Sequence, residues 1–590
     1  MLPRVTIPFG SQQIVGQRHD DPILMPSAID TTKAAAAFRQ RNKGKRNRYC
    51  TFRGVPFTTS IVADGWWSEP SALNDLPANR FDATRYKRIA IQTTGPQAAS
   101  DVGWRPNDGK GKATFEWADW GVVEDPDCGL LDIWTPTPTE GAGYPVVVNI
   151  HGGGNTENPR MLPRFTGDGL MPYGVVYVAV EWPLSLQGFF SHPEFATDSE
   201  INHAYRVVLT ALEWVQAHIS KFGGNPAEVC ITGTSAGAQM CTELMPHGGD
   251  LFHRVLAHSG GGNAKHATRQ YAAAMGFNFW SQLVKDKPAH FDPSRTIREI
   301  AEEDGIEAAL RLGPSPEQLL AFANNRQTWE LSGSTLVRGS AGAINVWPAQ
   351  DGDLVMDRSC VGSVIAGQWP TDVQFWATWV FNEASLVGDA KTNASGADYL
   401  RRVGVTSAAD IDTAVALLQA SYSGRWQRPA YGHCLFGYAV DRLSREFAAQ
   451  GGTAYATFVD YDSLGNGRRK MGHANQQVWW HGKAQWQVAM GLQEHTLRLY
   501  ESDTRLQYHL ARSLAAYARV GDPNAEPLPG SIELYAEADL EHFAPWKAMD
   551  DDRITNVVRN RLVDPDVPTV AQVPNFDKAI FDFFDTTYAP

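Results

Sequence analysis

The chain has 590 residues, of which 43% are hydrophobic and 20% charged, and a formal net charge of −13. This is a globular composition, and its acidity argues against nucleic acid as a partner. No run of eighteen apolar residues exists to form a membrane span, and the opening MLPRVTIPFGSQQIVG has no apolar core of signal-peptide length.

Along the chain, KGKRNR (Lys43 to Arg48) reads as a solvated basic loop. YPVVVNI (Tyr144 to Ile150) predicts a buried strand, and GVVYVAVEW (Gly174 to Trp182) a second. AYRVVLTALEWVQAHISKF (Ala204 to Phe222) places Val207, Leu212, Val215 and Ile219 on one helix face. Val229, Ile231 and Thr232 are β-formers, and helical spacing resumes at Ala236, Ala238 and Met240. DVQFWATWVF (Asp372 to Phe381) and YATFVDY (Tyr455 to Tyr461) predict later strands. TRLQYHLARSLAAYARV (Thr504 to Val520) predicts a long helix stopped by GDPN. The alternation implies an α/β fold, with a large, mostly parallel sheet flanked by helices. No internal repeat or low-complexity linker interrupts it, so residues 1–590 are expected to form one domain with long inserted loops.

The six cysteines (Cys50, Cys128, Cys230, Cys241, Cys360, Cys434) show no metal-like pairing. Cys230 lies within a predicted strand and reads as a packing residue. Together they favour a reducing, cytoplasmic setting. The sequon Asn393-Ala394-Ser395 matters only in a secreted chain.

Two glycine-rich stretches carry chemistry. Gly233-Thr234-Ser235-Ala236-Gly237 joins a strand to a helix in very few residues. Glycines two before and two after the serine relieve the crowding of such a turn, and the hydroxyl is left at a helix N-terminus. On this pentapeptide alone an ordinary loop serine is an equal reading. The second stretch, NIHGGGN (Asn149 to Asn155), follows a predicted strand about eighty residues earlier. Its glycines leave backbone N–H groups uncovered, available to a developing oxyanion. A phosphate loop would need a lysine or a helix dipole nearby, and neither is evident. H-G-G-G followed by G-x-S-x-G is the order of an oxyanion loop and a nucleophile elbow.

FGGNPAEVCITGTSAGA resembles the nucleophile signature of the type-B carboxylesterase and cholinesterase-like family. FRGVPF (Phe52 to Phe57), EDPDCGLLDIWTP (Glu124 to Pro136), LFHRVLAHSG and YARVGDPN are similar to other segments of that family. The resemblance runs from about Val5 to about Trp546. It implies an α/β-hydrolase fold, a Ser-Glu-His triad and hydrolysis of a small-molecule ester without cofactor or metal.

Carried onto this chain, the resemblance makes Ser235 the nucleophile and gives Gly153, Gly154 and Ala236 the oxyanion N–H groups. Glu383, in FNEAS just past a predicted strand, is the expected acid. Asp372 is its rival but stands at the strand's beginning, whereas Asp351 and Asp353 fall in a loop resembling one without a catalytic role. Of 16 histidines, His473 in MGHANQQVWW is the expected base, with Gln476 where the family has Glu. His481 is the nearest rival, and His151 is expected to shape the oxyanion loop.

Three departures stand out. Ala90 occupies the place of the family's disulfide partner to Cys128, so that bridge is expected to be absent. Thr234 replaces the Glu that precedes the nucleophile in most relatives, which weakens a case for choline esters and favours neutral, apolar or aromatic ones. The segment Gln17 to Cys50 is unusually long, and the sequence assigns it no role. Two other readings share the fold: an amide or carbamate hydrolase on the same triad, and a non-catalytic scaffold.

Overall fold

The computed structural model describes residues 2–23, 30–92, 122–162, 165–194, 201–261, 266–324, 329–332, 335–338, 348–352, 355, 360–381, 383, 397, 400–401, 405, 407–423, 426–463, 469–470, 501–550, 553, 555–560 and 568–587. Among these a sheet of 13 strands dominates. In chain order they are β1 (Arg4–Phe9), β2 (Gln12–Pro22), β3 (Arg46–Pro56), β4 (Arg80–Asp82), β5 (Leu130–Thr135), β6 (Tyr144–Ile150) and β7 (Val176–Val180). There follow β8 (Gly224–Thr234), β9 (Arg254–His258), β10 (Gln374–Val380), β11 (Ala454–Asp460), β12 (Thr555–Asn560) and β13 (Pro568–Val573). Their spatial order is β1-β2-β3-β5-β7-β6-β8-β9-β10-β11-β12-β13, with β4 beside β2.

From β7 to β12 every neighbour pair is parallel, and the two flanks are antiparallel except for β4, which pairs β2 in parallel. The central strands are buried on both faces, which is why they read as continuous apolar runs. Val146 and Val148 of β6 join one core with Leu212, Val215 and Met240, while Val147 joins another with Leu510 and Leu514. The first core holds α2 (His203–His218) and α3 (Ala236–Glu243); the second holds α6 (Glu501–Val520) on the opposite face. Between them in sequence lie α4 (Ala408–Tyr422) and α5 (Tyr438–Ala449), and α7 (Lys578–Thr587) follows β13.

The described residues of segment 17–50 form the end of β2, a helix α1 (Lys33–Arg41) and the start of β3. The basic run is solvated as expected, but only its first part is a turn. Arg46 and Arg48 begin β3 and pair across the ladder with Asp20 on β2. Helix α1 docks at the start of α6: Asp30 accepts the Glu501 N–H at 2.7 Å, and the Asn42 side-chain amide donates to the Leu534 carbonyl at 3.0 Å.

Because β6, β8, β10 and β11 are parallel, their C-terminal ends share one edge of the sheet. The H-G-G-G loop leaves β6 there, Ser235 leaves β8, and Glu383 follows β10. Binding sites of open parallel sheets lie at this edge.

Candidate active site

Ser235 joins β8 to α3 with φ 57° and ψ −121°, a left-handed conformation that a non-glycine residue adopts only under strain. The turn is held by the Ser235 N–H donating to the His258 carbonyl at 2.9 Å and by the Gln239 N–H donating to the Ser235 carbonyl at 2.9 Å. The flanking glycines are steric necessities. A Cβ at Gly233 would overlap the backbone of Gly237, and one at Gly237 would overlap the Ile150 carbonyl oxygen. The hydroxyl is thus presented at the positive end of α3.

The glycine loop is built onto this elbow. A Cβ at Gly152 would strike the Thr234 carbonyl and stand 3.2 Å from Ser235 Cβ. Gly153 and Gly154 have φ of 144° and 59°, open only to glycine without strain. His151 is buried and stacks on Trp182 at 5.0 Å, so it shapes the base of the loop. Ala236, the third expected oxyanion donor, opens α3 and is buried beside Ser235. Downstream, the fully buried Arg160 ties the loop's end to Asp132 of β5 at 2.9 Å and to Glu181 just past β7 at 3.0 Å.

Glu383 is fully buried. Its Oε1 accepts the Val380 N–H at 2.9 Å and the hydroxyl of Ser259. Ser259 follows β9 with φ 45°, its N–H donating to the Thr378 carbonyl at 2.7 Å. The next residue, Gly260, lies against Ser235, since a Cβ there would strike the Ser235 carbonyl oxygen. Ser259 therefore stands between the elbow and the carboxylate, a position the sequence reading missed. The available signal was Ser-Gly directly after a strand, in LFHRVLAHSG.

The rivals fall elsewhere. Asp372 is exposed at the N-terminal end of β10, one strand length, roughly 20 Å, from the Glu383 end. Asp351 is buried and holds a loop, accepting from the Asn202 amide at 2.6 Å and the Val355 N–H at 2.8 Å. Asp353, His473, Gln476, Trp479, Trp480 and His481 lie outside the described residues.

Two of the departures are visible. The Thr234 side chain is buried, and its hydroxyl has no partner among the described residues. Ala90 and Cys128 are both fully buried, and Cys128 is a free thiol whose pKa burial pushes well above the ordinary value. A further polar cluster went unread. Glu243, at the end of α3, is buried and bonded by Tyr205, His266 and the Gln239 amide, the last at 2.9 Å. Burial, with the Glu243 carboxylate beside it, pushes the Tyr205 phenol well above its usual range.

Residues 37–295, which include the glycine loop and the elbow, match the carboxylesterase family. The chain is 28% identical over 290 residues to a fumonisin B1 esterase of Sphingopyxis macrogoltabida, covering 48% of this chain and 47% of that protein. It is 31% identical over 244 residues to carboxylesterase 3 of Pongo abelii, 40% of each chain, and 40% identical over 138 residues to a cocaine esterase of Oryctolagus cuniculus, 22% of this chain and 25% of that one. The chain thus spans about half the length, or less, of the curated relatives it matches. Over residues 37–295 the resemblance to type-B carboxylesterases stands, and the fold is that of an α/β-hydrolase.

Proposed function

We propose that this protein is a serine carboxylesterase acting on neutral, apolar or aromatic small-molecule esters. The observation that carries the reading is Ser235 at φ 57° with Gly152 packed against it, a nucleophile elbow built into a glycine loop. Ser235 attacks the ester carbonyl while a histidine of the segment after β11, assigned to His473, takes its proton. Glu383 orients that histidine and stabilises its charged form. The N–H groups of Gly153, Gly154 and Ala236 receive the oxyanion. The alcohol leaves on the returned proton, and water activated by the same histidine cleaves the acyl-enzyme.

Fluorophosphonate labelling tests the reading. Covalent modification of Ser235 supports catalysis, and an unreactive folded protein would favour the scaffold alternative. Paired His473→Ala and His481→Ala variants decide the base: loss of turnover confined to His481→Ala would move the assignment there. Parallel ester, amide and carbamate substrates with one acyl group decide the leaving group.

The apolar preference rests on Thr234, which places no negative charge beside the nucleophile, and on the buried aromatic residues Trp182, Phe189 and Phe190 that follow β7. A higher kcat/KM for a choline ester than for an uncharged ester of the same acyl group would overturn it. A reducing, cytoplasmic setting fits the buried free thiols of Cys50, Cys128, Cys230, Cys241 and Cys360. No helix among the described residues is long and apolar enough to cross a membrane.

A further inference from the structure

Behind Glu383 runs a continuous helical stretch, Gln427–Gly432, then a π-turn His433–Gly437, then α5. Two of its residues are glycines with ordinary helical dihedrals: Gly432 at φ −63°, ψ −45° and Gly437 at φ −64°, ψ −47°. Neither is needed for backbone conformation, and glycine is a poor helix residue. Both are explained by close approach. A Cβ at Gly432 would sit 3.1 Å from Glu383 Cγ and 3.2 Å from the Val380 carbonyl oxygen. One at Gly437 would sit 2.7 Å from Trp379 Nε1 and 2.8 Å from His433 Nδ1. The wider π-turn brings two glycines five positions apart against the end of the one strand that delivers the carboxylate. Such turns are rare and concentrate at functional sites.

The turn is itself locked. His433 is fully buried, and its Nε2 lies 2.7 Å from the Tyr422 hydroxyl at the end of α4 and 3.0 Å from Asp577 Oδ2. Tyr422 donates its hydroxyl to the same Asp577 oxygen. Asp577 stands just ahead of α7, whose Phe581 packs edge-on against His433 at 5.3 Å. The triad of Tyr422, His433 and Asp577 thus pins three separate elements, α4, the π-turn and the start of α7, at one buried point.

We propose that Gly432 and the Tyr422–His433–Asp577 lock are positioning elements for Glu383. They set the wall against which its side chain rests, so that the C-terminal helix acts on the catalytic centre through the π-turn. The inference rests on the assignment of Glu383 as the triad acid.

The test is a pair of double-mutant cycles on kcat, with KM and thermal melting recorded for every variant. Gly432→Ala and Asp577→Ala are each made in the wild type and in Glu383→Gln. A sub-ångström displacement of the acid is expected to lower kcat by about tenfold at nearly constant KM. In the Glu383→Gln background the same substitutions are expected to change kcat by less than about twofold, because the group they act through is already disabled. Asp577→Asn, which keeps an acceptor for Tyr422 and His433, is expected to recover most of the lost kcat. An equal fall in both backgrounds would mean general structural damage and would overturn the proposal, as would no fall in either. If Asp577→Ala does not fold, the Gly432→Ala cycle decides alone. Wild-type turnover in Glu383→Gln by itself would instead overturn the acid assignment, and this proposal with it.

Discussion

Gly237 lies directly beneath Ile150, so close that a Cβ at position 237 would overlap the Ile150 carbonyl oxygen. Ile150 ends β6 and leads into the glycine loop, whereas Gly237 is in the first turn of the helix behind Ser235. The elbow and the loop are therefore one packed object, and displacing either displaces both. Gly237→Ala is expected to lower stability by about 1–3 kcal/mol in urea unfolding, as overpacking does, and to abolish fluorophosphonate labelling. Gly154→Ala faces no atom within 4 Å and only its φ of 59° opposes it. Its expected cost is about 1 kcal/mol.

The strain at Ser235 separates stability from activity. Ser235→Ala keeps a Cβ at φ 57°, so its stability should match the wild type while kcat falls on the order of 10⁶-fold. Ser235→Gly should be equally inactive yet more stable than Ser235→Ala by about 1 kcal/mol. A glycine variant that melts below the alanine variant would show that the elbow is not strained.

Glu383→Gln should depress kcat on the order of 10⁴-fold with little change in KM, because an amide cannot stabilise the imidazolium. Ser259→Ala, which removes the hydroxyl bonded to Glu383, should fall between, at about 10- to 100-fold. Asp372→Asn, on the far end of β10, should leave kcat within about twofold. The reverse ranking of the two carboxylates would relocate the acid.

What the sequence disclosed follows from how local each signal is. Tyr144–Ile150 is read to the residue because a strand buried on both faces is an unbroken apolar run. The elbow is legible because Gly233 and Gly237 answer contacts within the same few residues and the strand beside them. Ser259 was not legible, since its meaning comes from Glu383, 124 positions away. The same holds for Gly432, whose helical backbone asks for no glycine until the carboxylate behind it is known. Segment 17–50 hid its strands because β2 and β3 lie in the antiparallel flank with charged, half-exposed faces.

Acid should weaken the fold through histidines held neutral, one half-buried and one buried. His509, stacked with Phe543 at 4.2 Å and with Trp546 at 5.5 Å, is lowered from 6.5 to about 3 by burial and then by Arg512. His203 is lowered likewise, by burial and then by Arg206 and Arg311. Between pH 6.5 and about 3 the unfolded chain binds protons that the folded chain refuses, so stability falls as pH falls through that window. The contribution of His509 is on the order of a few kcal/mol. His509→Phe should flatten the decline in urea-unfolding free energy between pH 6.5 and 4. An unchanged slope would place the histidine's proton elsewhere.

Cys128 is expected to resist alkylation in the native protein and to react fully after denaturation without a reductant, because it is buried, unpaired and held protonated. Peptide mass analysis reads both states. Recovery of Cys128 in a disulfide would contradict the structure.

The docking of α1 onto the start of α6 has a temporal side. Asp30 and the Glu501 N–H it accepts are 471 residues apart. At a synthesis rate of about 5–20 residues per second, α1 leaves the ribosome roughly half a minute to a minute and a half before its landing surface exists. During that interval its apolar face, Phe38 above all, has no native partner in Tyr535. A nine-residue helix is marginal on its own in water, so through most of translation this stretch has neither its docking surface nor a stable helix, and α1 forms late although it is made early.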